Sequence, residues 1–181
     1  ARPPGDVMAD VLSLRELPLP VLQGLIQAPV FSQAGELETE PGFQVRTGYY
    51  LNIAGGLAMR DVSKCPSVAE IARAKAVLLE ELLGDFPFRD DSDRAHAVCV
   101  MLHRFVRLLI TGPTPFHMIE SPSPGTGKGL LADVLTIPAL GTGPSVMSEG
   151  RDDDEWRKRL TGKLLASPQI IRIDNVRSRL D

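Results

Sequence analysis

The stretch Ser121-Pro122-Ser123-Pro124-Gly125-Thr126-Gly127-Lys128-Gly129 separates an apolar segment from an amphipathic one. Residues 116–120, before it, are predicted to form a short buried strand. The apolar residues that follow it share one face of a predicted helix: Leu130, Leu131, Val134 and Leu135. A glycine-rich turn between a strand and a helix is typical of a phosphate-binding loop, because its backbone N–H groups and the helix N-terminus attract an anion.

The loop keeps part of the usual phosphate-loop pattern and departs from the rest. The predicted nucleotide-binding residues are Pro124, Gly125, Thr126, Gly127, Lys128 and Gly129, with Lys128 on the outer phosphates. Compared with G-x-x-x-x-G-K-[ST], Pro122 replaces the first glycine and Gly129 replaces the hydroxyl residue that contacts Mg2+. The retained part binds phosphate, whereas the missing hydroxyl weakens the prediction of a metal site. The alternative is an ordinary turn between a strand and a helix.

The composition narrows the class of protein. The chain has 181 residues, a formal net charge of -3 and 43% hydrophobic residues, enough for a buried core. This charge does not indicate a nucleic-acid-binding protein, so any such surface has to be a local patch. Cys65 and Cys99 have no His or Cys neighbours at ligand spacing, so neither zinc nor a disulfide framework is expected. No apolar run reaches the roughly 18 residues of a membrane span, and we expect a soluble, cytoplasmic protein.

The predicted fold class is α/β: a partial P-loop NTPase parallel sheet flanked by helices, preceded by a small α+β module. The module takes residues 1–88, and the first half of the ATPase core takes residues 89–181. In the module, a short helix is predicted from Leu17, Val21, Leu22, Leu25 and Ile26, and a hairpin from residues 30–39. Tyr49 and Tyr50, with Arg46, are candidates for stacking on bases; the alternative is that these aromatic rings belong to the core.

Two helices are predicted between the hairpin and the phosphate loop. Ser67-Val68-Ala69-Glu70 has the pattern of a capping box and opens a helix that runs through Leu83 and ends at Gly84. The second helix begins at Asp91 or Ser92. Its predicted buried stripe is Ala95, Val98, Cys99, Leu102, Phe105, Val106 and Leu109. The basic residues on its other side are Arg94, Arg104 and Arg107. They form either a solvated face or a surface that contacts phosphate.

A break is predicted after the phosphate-loop helix, at Pro138 and residues 141–144. A short strand at residues 145–147 and a helix with acidic residues in its first turn, 152–155, follow it. Residues 170–175 are then predicted to form an apolar strand that ends in an acid.

The acid at the end of this last strand is the predicted metal residue. A P-loop site needs a partner carboxylate that holds Mg2+, and Asp174 occupies this position, known as Walker B. Arg172 is a departure, since a central parallel strand is normally apolar throughout.

Several short motifs carry a resemblance to a known family. They are Asp85-Phe86-Pro87-Phe88, Pro122-Ser123-Pro124-Gly125-Thr126-Gly127-Lys128-Gly129-Leu130-Leu131-Ala132, Glu149-Gly150-Arg151-Asp152, Glu155-Trp156-Arg157-Lys158-Arg159 and Ile173-Asp174-Asn175-Val176. With them the chain resembles P-loop ATPases, AAA+ or RecA-like, of phages and integrated mobile elements that are associated with primases and presumed to be replicative helicases. Upstream, Ala28-Pro29-Val30-Phe31 and residues 41–50 are similar to the module that precedes the ATPase in that family. The resemblance implies ATP and Mg2+ as cofactors, single-stranded DNA as a partner, and a homo-oligomeric ring.

The predicted catalytic residues are Lys128 and Glu149. In many ATPases a catalytic glutamate directly follows the Walker B aspartate, but Asn175 stands there, and an amide cannot accept a proton from water at neutral pH. In RecA-like and ring-helicase ATPases the glutamate comes from the end of the strand after the phosphate-loop helix, where Glu149 lies. The alternative is that Glu149 is a solvated loop acid.

The same resemblance predicts that the chain is a fragment. ATPases of this class place a later strand between the P-loop strand and the Walker B strand, and the sequence ends soon after Asp174. We therefore expect the fragment to be inactive alone, with sensor and arginine-finger residues beyond residue 181. Two other functions stay open. One is a regulatory module that binds nucleotide without hydrolysis, favoured by Gly129 and Asn175. The other is a small-molecule kinase, for which no segment predicts an acceptor-binding lid.

Overall fold

The computed structural model of the chain describes residues 3–14, 16, 19–53, 61–123 and 125–177. The helices and strands are α1 (Gly5–Ser13), β1 (Gly24–Ile26), β2 (Val30–Phe31), β3 (Leu37–Glu38), β4 (Gly42–Phe43), β5 (Tyr49–Leu51), α2 (Val68–Ala76), α3 (Asp91–Val106), α4 (Lys128–Leu140), β6 (Ser145–Ser148), α5 (Asp153–Leu165) and β7 (Ile171–Asp174). A π-helical segment, Val77–Leu82, continues α2, and a 3-10 turn, Arg107–Leu109, continues α3. The described part of the chain therefore mixes α and β structure, as predicted. None of its helices has both the length and the apolar character that a membrane span requires.

A small sheet with the strand order β1-β5-β4 organises the first part of the chain. β1 runs parallel to β5 and places Ile26 opposite Leu51, and both side chains are buried in one cluster with Val30. The predicted hairpin is confirmed, because β2 pairs antiparallel with β3 and Val30 lies opposite Glu38. Gly35 in its turn has a φ of 80°, a left-handed conformation that favours glycine.

The helix predicted within residues 17–26 is wrong. This stretch contains the strand β1, and α1 lies earlier in the chain. Pro20 interrupts the predicted helix, since proline lacks the N–H group that an α-helix needs and its ring crowds the preceding turn. Pairing with β5 then decides the local structure: Ile26 is buried, whereas Leu25 is exposed. Leu17 lies outside the described residues.

The capping box at the start of α2 is confirmed. The backbone N–H of Ser67 donates to Glu70 Oε2 over 2.8 Å, and the N–H of Glu70 donates to Ser67 Oγ over 3.3 Å. The helical run ends at Leu82, one residue before the predicted end. A Cβ atom at Gly84 would lie 2.2 Å from the carbonyl oxygen of Glu80, so the close approach of the backbone requires glycine there.

α3 begins at Asp91, as predicted, but its buried face is shifted from the predicted stripe, of which Val98 packs against the core cluster. The buried residues are Ala97 and Met101, which pack in one cluster with Leu83 and with Leu135 of α4. The exposed members of the predicted stripe are Ala95, Cys99, Leu102 and Leu109. Nearly all residues from 95 to 102 are apolar, so a spacing of three and four fits several faces. The neighbouring elements then decide which face is buried.

The two predicted segments, residues 1–88 and 89–181, contact each other. Leu83 of the first segment shares a hydrophobic cluster with Leu135 of the second. The side-chain amide of Gln169 also donates to the carbonyl of Leu25 over 2.8 Å. The boundary between the segments stays a prediction.

β6 and β7 pair in parallel, from Ser145 opposite Ile171 to Ser148 opposite Asp174, and both strands confirm their predictions. The strand predicted at residues 116–120 is wrong, because these residues form neither helix nor strand. A β-strand forms by exchanging backbone hydrogen bonds with a neighbouring strand, and none of the described strands pairs with this segment.

The predicted break after the phosphate-loop helix begins later than expected. α4 continues through Pro138 to Leu140 and ends at Gly141, whose φ of 72° is left-handed. The proline costs α4 one backbone hydrogen bond. Burial of Ala139 and Leu140 in the following turn offsets this cost and keeps the helix intact.

Candidate nucleotide-binding site

The predicted phosphate loop leads directly into α4. Gly125 and Gly127 have φ values of 79° and 84°, a left-handed conformation that L-residues with a side chain rarely adopt. Among the described residues, and apart from the chain neighbours of each glycine, no atom lies within 4 Å of either Cβ position, so the backbone conformation and not crowding requires glycine. Gly127 is the N-cap of α4, and Lys128 is its first residue. The glycine turn before a helix is therefore confirmed, while Pro124 lies outside the described residues.

The hydroxyl of Ser121 connects the residues of this loop. Lys128 Nζ donates to Ser121 Oγ over 2.9 Å, and Thr126 Oγ1 donates to the same oxygen over 2.7 Å. Ser121 Oγ in turn donates to the carbonyl of Ser123 over 2.8 Å. The ammonium group of Lys128 therefore lies beside Ser121, the first residue of the loop. The phosphate-loop pattern does not constrain position 121, so this role of Ser121 could not be predicted from the pattern.

Gly129 lies in the first turn of α4 and offers no hydroxyl. The space around its Cβ position is open: apart from its chain neighbours and the backbone of α4, no atom of the described residues lies within 4 Å. Its carbonyl oxygen accepts a hydrogen bond from Arg172 Nη1 over 3.4 Å. The helix start is thus joined to β7, the strand that carries Asp174.

Asp174 is the last residue of β7 and is exposed. Its Oδ1 accepts a hydrogen bond of 2.9 Å from the backbone N–H of Asn175, whose φ of 57° turns the chain sharply after the strand. Alternate side chains of a strand share a face, so Asp174 lies on the same face of the sheet as Arg172. Because Arg172 contacts Gly129 and Asp133 of α4, this face of the strand is the one turned toward α4.

The residues present fit a magnesium ion only in part. In the described part of the chain, no group of three or more His, Cys, Asp or Glu residues is placed to enclose a metal. Mg2+ in phosphate-transfer sites, however, is bound by one or two carboxylates together with substrate phosphates and water. The exposed carboxylate of Asp174 suits that arrangement, and the absent hydroxyl at Gly129 leaves one protein ligand fewer than usual.

Glu149 lies at the same edge of the sheet as Asp174. It directly follows β6, and Ser148 at the end of β6 is opposite Asp174 in the parallel pair. Glu149 Oε2 accepts a hydrogen bond of 2.9 Å from the backbone N–H of Arg177, just beyond β7. The structure therefore brings the two predicted carboxylates, Glu149 and Asp174, to neighbouring strand ends.

Arg159 of α5 supports the backbone at Glu149. Its Nη1 donates to the carbonyl oxygens of Ser148 and Glu149, each over 3.2 Å. Its Nε donates to Glu155 Oε1 over 3.1 Å, while Glu155 Oε2 accepts from the backbone N–H of Arg151 over 2.9 Å. The bond from Arg151, followed by that from Arg159, lowers the pKa of Glu155 below its usual value. Sequence analysis contained these residues in a motif but gave Arg159 no role.

The other two predicted binding surfaces are the basic residues of α3 and the group of Tyr49, Tyr50 and Arg46, and several of these side chains contact other parts of the protein. Arg104 does not lie on a solvated face: its Nε donates to Gln169 Oε1 over 2.8 Å, and its guanidinium lies 6.0 Å from the ring centre of Tyr49. Arg46 forms an ion pair with Glu36. Tyr49 packs against the buried cluster around Ile26, which agrees with the core alternative for this ring, whereas Tyr50 is exposed and its predicted role stays a prediction.

Comparison of the chain with protein-family models, with curated proteins and with solved structures finds no match. The resemblance to helicase-type P-loop ATPases therefore stays a prediction, and the case for function depends on the geometry of the loop.

Proposed function

We propose that the chain is the ATP-binding part of a P-loop ATPase of the DNA helicase or translocase type. One observation carries the proposal: Gly125 and Gly127 adopt left-handed conformations directly before α4, and Lys128 Nζ is hydrogen-bonded to Ser121 at the beginning of the same loop. Backbone N–H groups at the start of a helix and a lysine above them form a site for the phosphates of a nucleotide. The alternative, an ordinary turn between a strand and a helix, does not require a hydrogen bond from the lysine to the first residue of the turn.

In this proposal each site residue has a separate task. The loop amides hold the phosphate chain, and Lys128 places a positive charge on the β and γ phosphates. Asp174 holds Mg2+, which when bound neutralises charge on the phosphate oxygens. Glu149 orients the attacking water and accepts its proton, since Asn175 carries an amide and cannot act as a base.

The strand arrangement agrees with this class of ATPase. β6 and β7 are parallel neighbours, whereas residues 116–120, which lead into the loop, do not pair with β7. In the additional-strand ATPases another strand lies between the P-loop strand and the Walker B strand. The parallel pairing of β6 and β7 is the part of that strand order that supports the proposal, whereas the predicted P-loop strand at residues 116–120 does not form.

The helicase or translocase activity, the single-stranded DNA partner, the homo-oligomeric ring and the cytoplasmic location belong to the same proposal. It is tested by calorimetric titration of the chain with ATP, ADP and adenosine. ATP hydrolysis with and without single-stranded DNA is measured on a longer protein that contains this chain and the expected sensor and arginine-finger residues. Tight binding of ATP and ADP, weak binding of adenosine and DNA-stimulated hydrolysis support it. Adenosine binding as tight as ATP binding contradicts a phosphate site.

A second candidate is a regulatory module that binds nucleotide without hydrolysing it. Gly129, which lacks the hydroxyl that contacts the metal, and Asn175, which replaces an acid, favour this alternative. Nucleotide binding together with no hydrolysis in the presence of single-stranded DNA, by a longer protein that contains this chain and the expected sensor and arginine-finger residues, distinguishes it from the ATPase.

A further inference from the structure

β7 contains an arginine between two isoleucines. Arg172 lies between Ile171 and Ile173, and its side chain is 22% exposed. Its guanidinium forms an ion pair with Asp133 of α4 and a 3.4 Å hydrogen bond with the carbonyl of Gly129. The arginine thus replaces the apolar contact that a parallel strand usually makes with a covering helix.

The pair spans the two halves of the proposed site. Gly129 and Asp133 are four residues apart, so they lie on one face of α4, next to Lys128. Arg172 and Asp174 are two residues apart, so they lie on one face of β7. The contact from Arg172 to α4 therefore sets the position of the Asp174 strand relative to the start of the Lys128 helix.

Other polar contacts do not duplicate this link. In the described part of the chain, the hydrogen bonds between α4 and β7 all come from Arg172. Residues 116–120 add no backbone hydrogen bonds to β7. The spacing between the phosphate loop and Asp174 accordingly depends on this arginine more than it would in a sheet that joins both segments by strand pairing.

A contribution to folding stability does not account well for the ion pair of Arg172 and Asp133. Arg172 Nε is buried and has no hydrogen-bond partner within the described residues. An unsatisfied buried donor costs free energy, and partly buried ion pairs often contribute little net stability. An apolar residue at position 172 would avoid both costs.

We propose that Arg172 and Asp133 are positioning residues that hold Asp174, and with it the metal, at the correct distance from Lys128. This inference rests on the proposed nucleotide site. It predicts that the ion pair matters for the binding of ATP with Mg2+ and not for the binding of ATP alone, because Asp174 acts on the nucleotide only through the metal.

The experiment measures the Kd for ATP by calorimetry, in Mg2+ and in EDTA. The variants are R172M, D133N, the double variant R172M/D133N and the exchange R172D/D133R. We expect each single variant to bind ATP about tenfold more weakly in Mg2+, a typical coupling between sites, and equally well in EDTA. The double variant should be no weaker than either single variant, and the exchange should regain part of the loss.

The matched control is the exposed ion pair of Arg157 and Asp154 in α5, whose removal by R157M should change neither Kd. A thermal unfolding curve for each variant verifies folding; Asp133 is 40% exposed, so D133N tests the pair even if R172M does not fold. Equal weakening in Mg2+ and in EDTA, or no weakening, overturns the inference while leaving the nucleotide site intact. A wild-type chain that binds no ATP contradicts the proposed function and, with it, this inference.

Discussion

Lys128 Nζ lies 2.9 Å from Ser121 Oγ, so the lysine of the phosphate loop is held by a hydroxyl at the beginning of the same loop. The ammonium group has three N–H donors, and one hydrogen bond to Ser121 leaves the others for phosphate oxygens. Ser121 therefore orders the side chain of Lys128 before nucleotide binds, and this lowers the conformational entropy that the lysine loses on binding.

The first prediction concerns this hydroxyl. We expect S121A to weaken ATP binding about threefold to tenfold, the scale of one net hydrogen bond. The control is S123A, because the Ser123 hydroxyl makes no hydrogen bond within the described residues, whereas its carbonyl does. Fluorescence titration with a labelled ATP measures both. Tighter binding by S121A would mean that Ser121 withholds Lys128 from phosphate instead of positioning it.

A second prediction restores the missing metal contact. Gly129 is in the first turn of α4, does not have a positive φ, and has open space around its Cβ position. We expect G129S to bind ATP several-fold more tightly in Mg2+, roughly the effect of one added oxygen ligand, and unchanged in EDTA. Calorimetry with and without Mg2+ measures the difference. G129A serves as the control, since it adds a Cβ without a hydroxyl and should leave the Mg2+ dependence as it is.

A third prediction concerns the catalytic base. Replacing Glu149 with Gln keeps the size of the side chain and its ability to accept the hydrogen bond from the backbone of Arg177. We expect E149Q to bind ATP as the wild type does and to lose hydrolysis under conditions in which the wild type turns over. Release of phosphate is the measurement. Hydrolysis at the wild-type rate would show that Glu149 is a loop acid without a catalytic role.

The fourth prediction is a dependence of stability on pH. His103 Nδ1 lies 3.0 Å from His117 Nε2, and burial, then the charges of His117 and Arg107, lower the pKa of His103 below its usual value of 6.5. In the window below pH 6.5 and above this lowered pKa, the unfolded chain binds more protons than the folded chain. The free energy of unfolding therefore decreases as the pH falls through this window.

Urea unfolding at pH 7.5 and pH 5.5 measures this change. We expect H103Q to reduce the loss of stability between the two pH values. H96Q is the matched control, because His96 lies on the same helix and is exposed. A loss of the same size in H103Q and in the wild type would contradict the assignment to His103.

What the sequence predicted correctly depends on short-range patterns. The capping box at Ser67 involves residues three apart, and the glycine conformations before α4 follow from a loop of a few residues. The errors involve contacts between distant segments. The buried face of α3 depends on Leu135, and the partner of Arg172 is Asp133, 39 residues away in the chain. The spacing of residues along the chain does not indicate which distant residues will contact each other. The phosphate-loop pattern likewise does not predict that Ser121 accepts a hydrogen bond from Lys128.

The most direct test of the central claim is calorimetric titration of the chain with ATP in Mg2+, comparing the wild type with K128A and K158A. Lys158 is an exposed residue of α5 and controls for the loss of one positive charge. If the loop binds phosphate, the wild type and K158A bind ATP with the same Kd, and K128A loses most of its affinity. Equal binding by K128A and the wild type would contradict a nucleotide site at this loop.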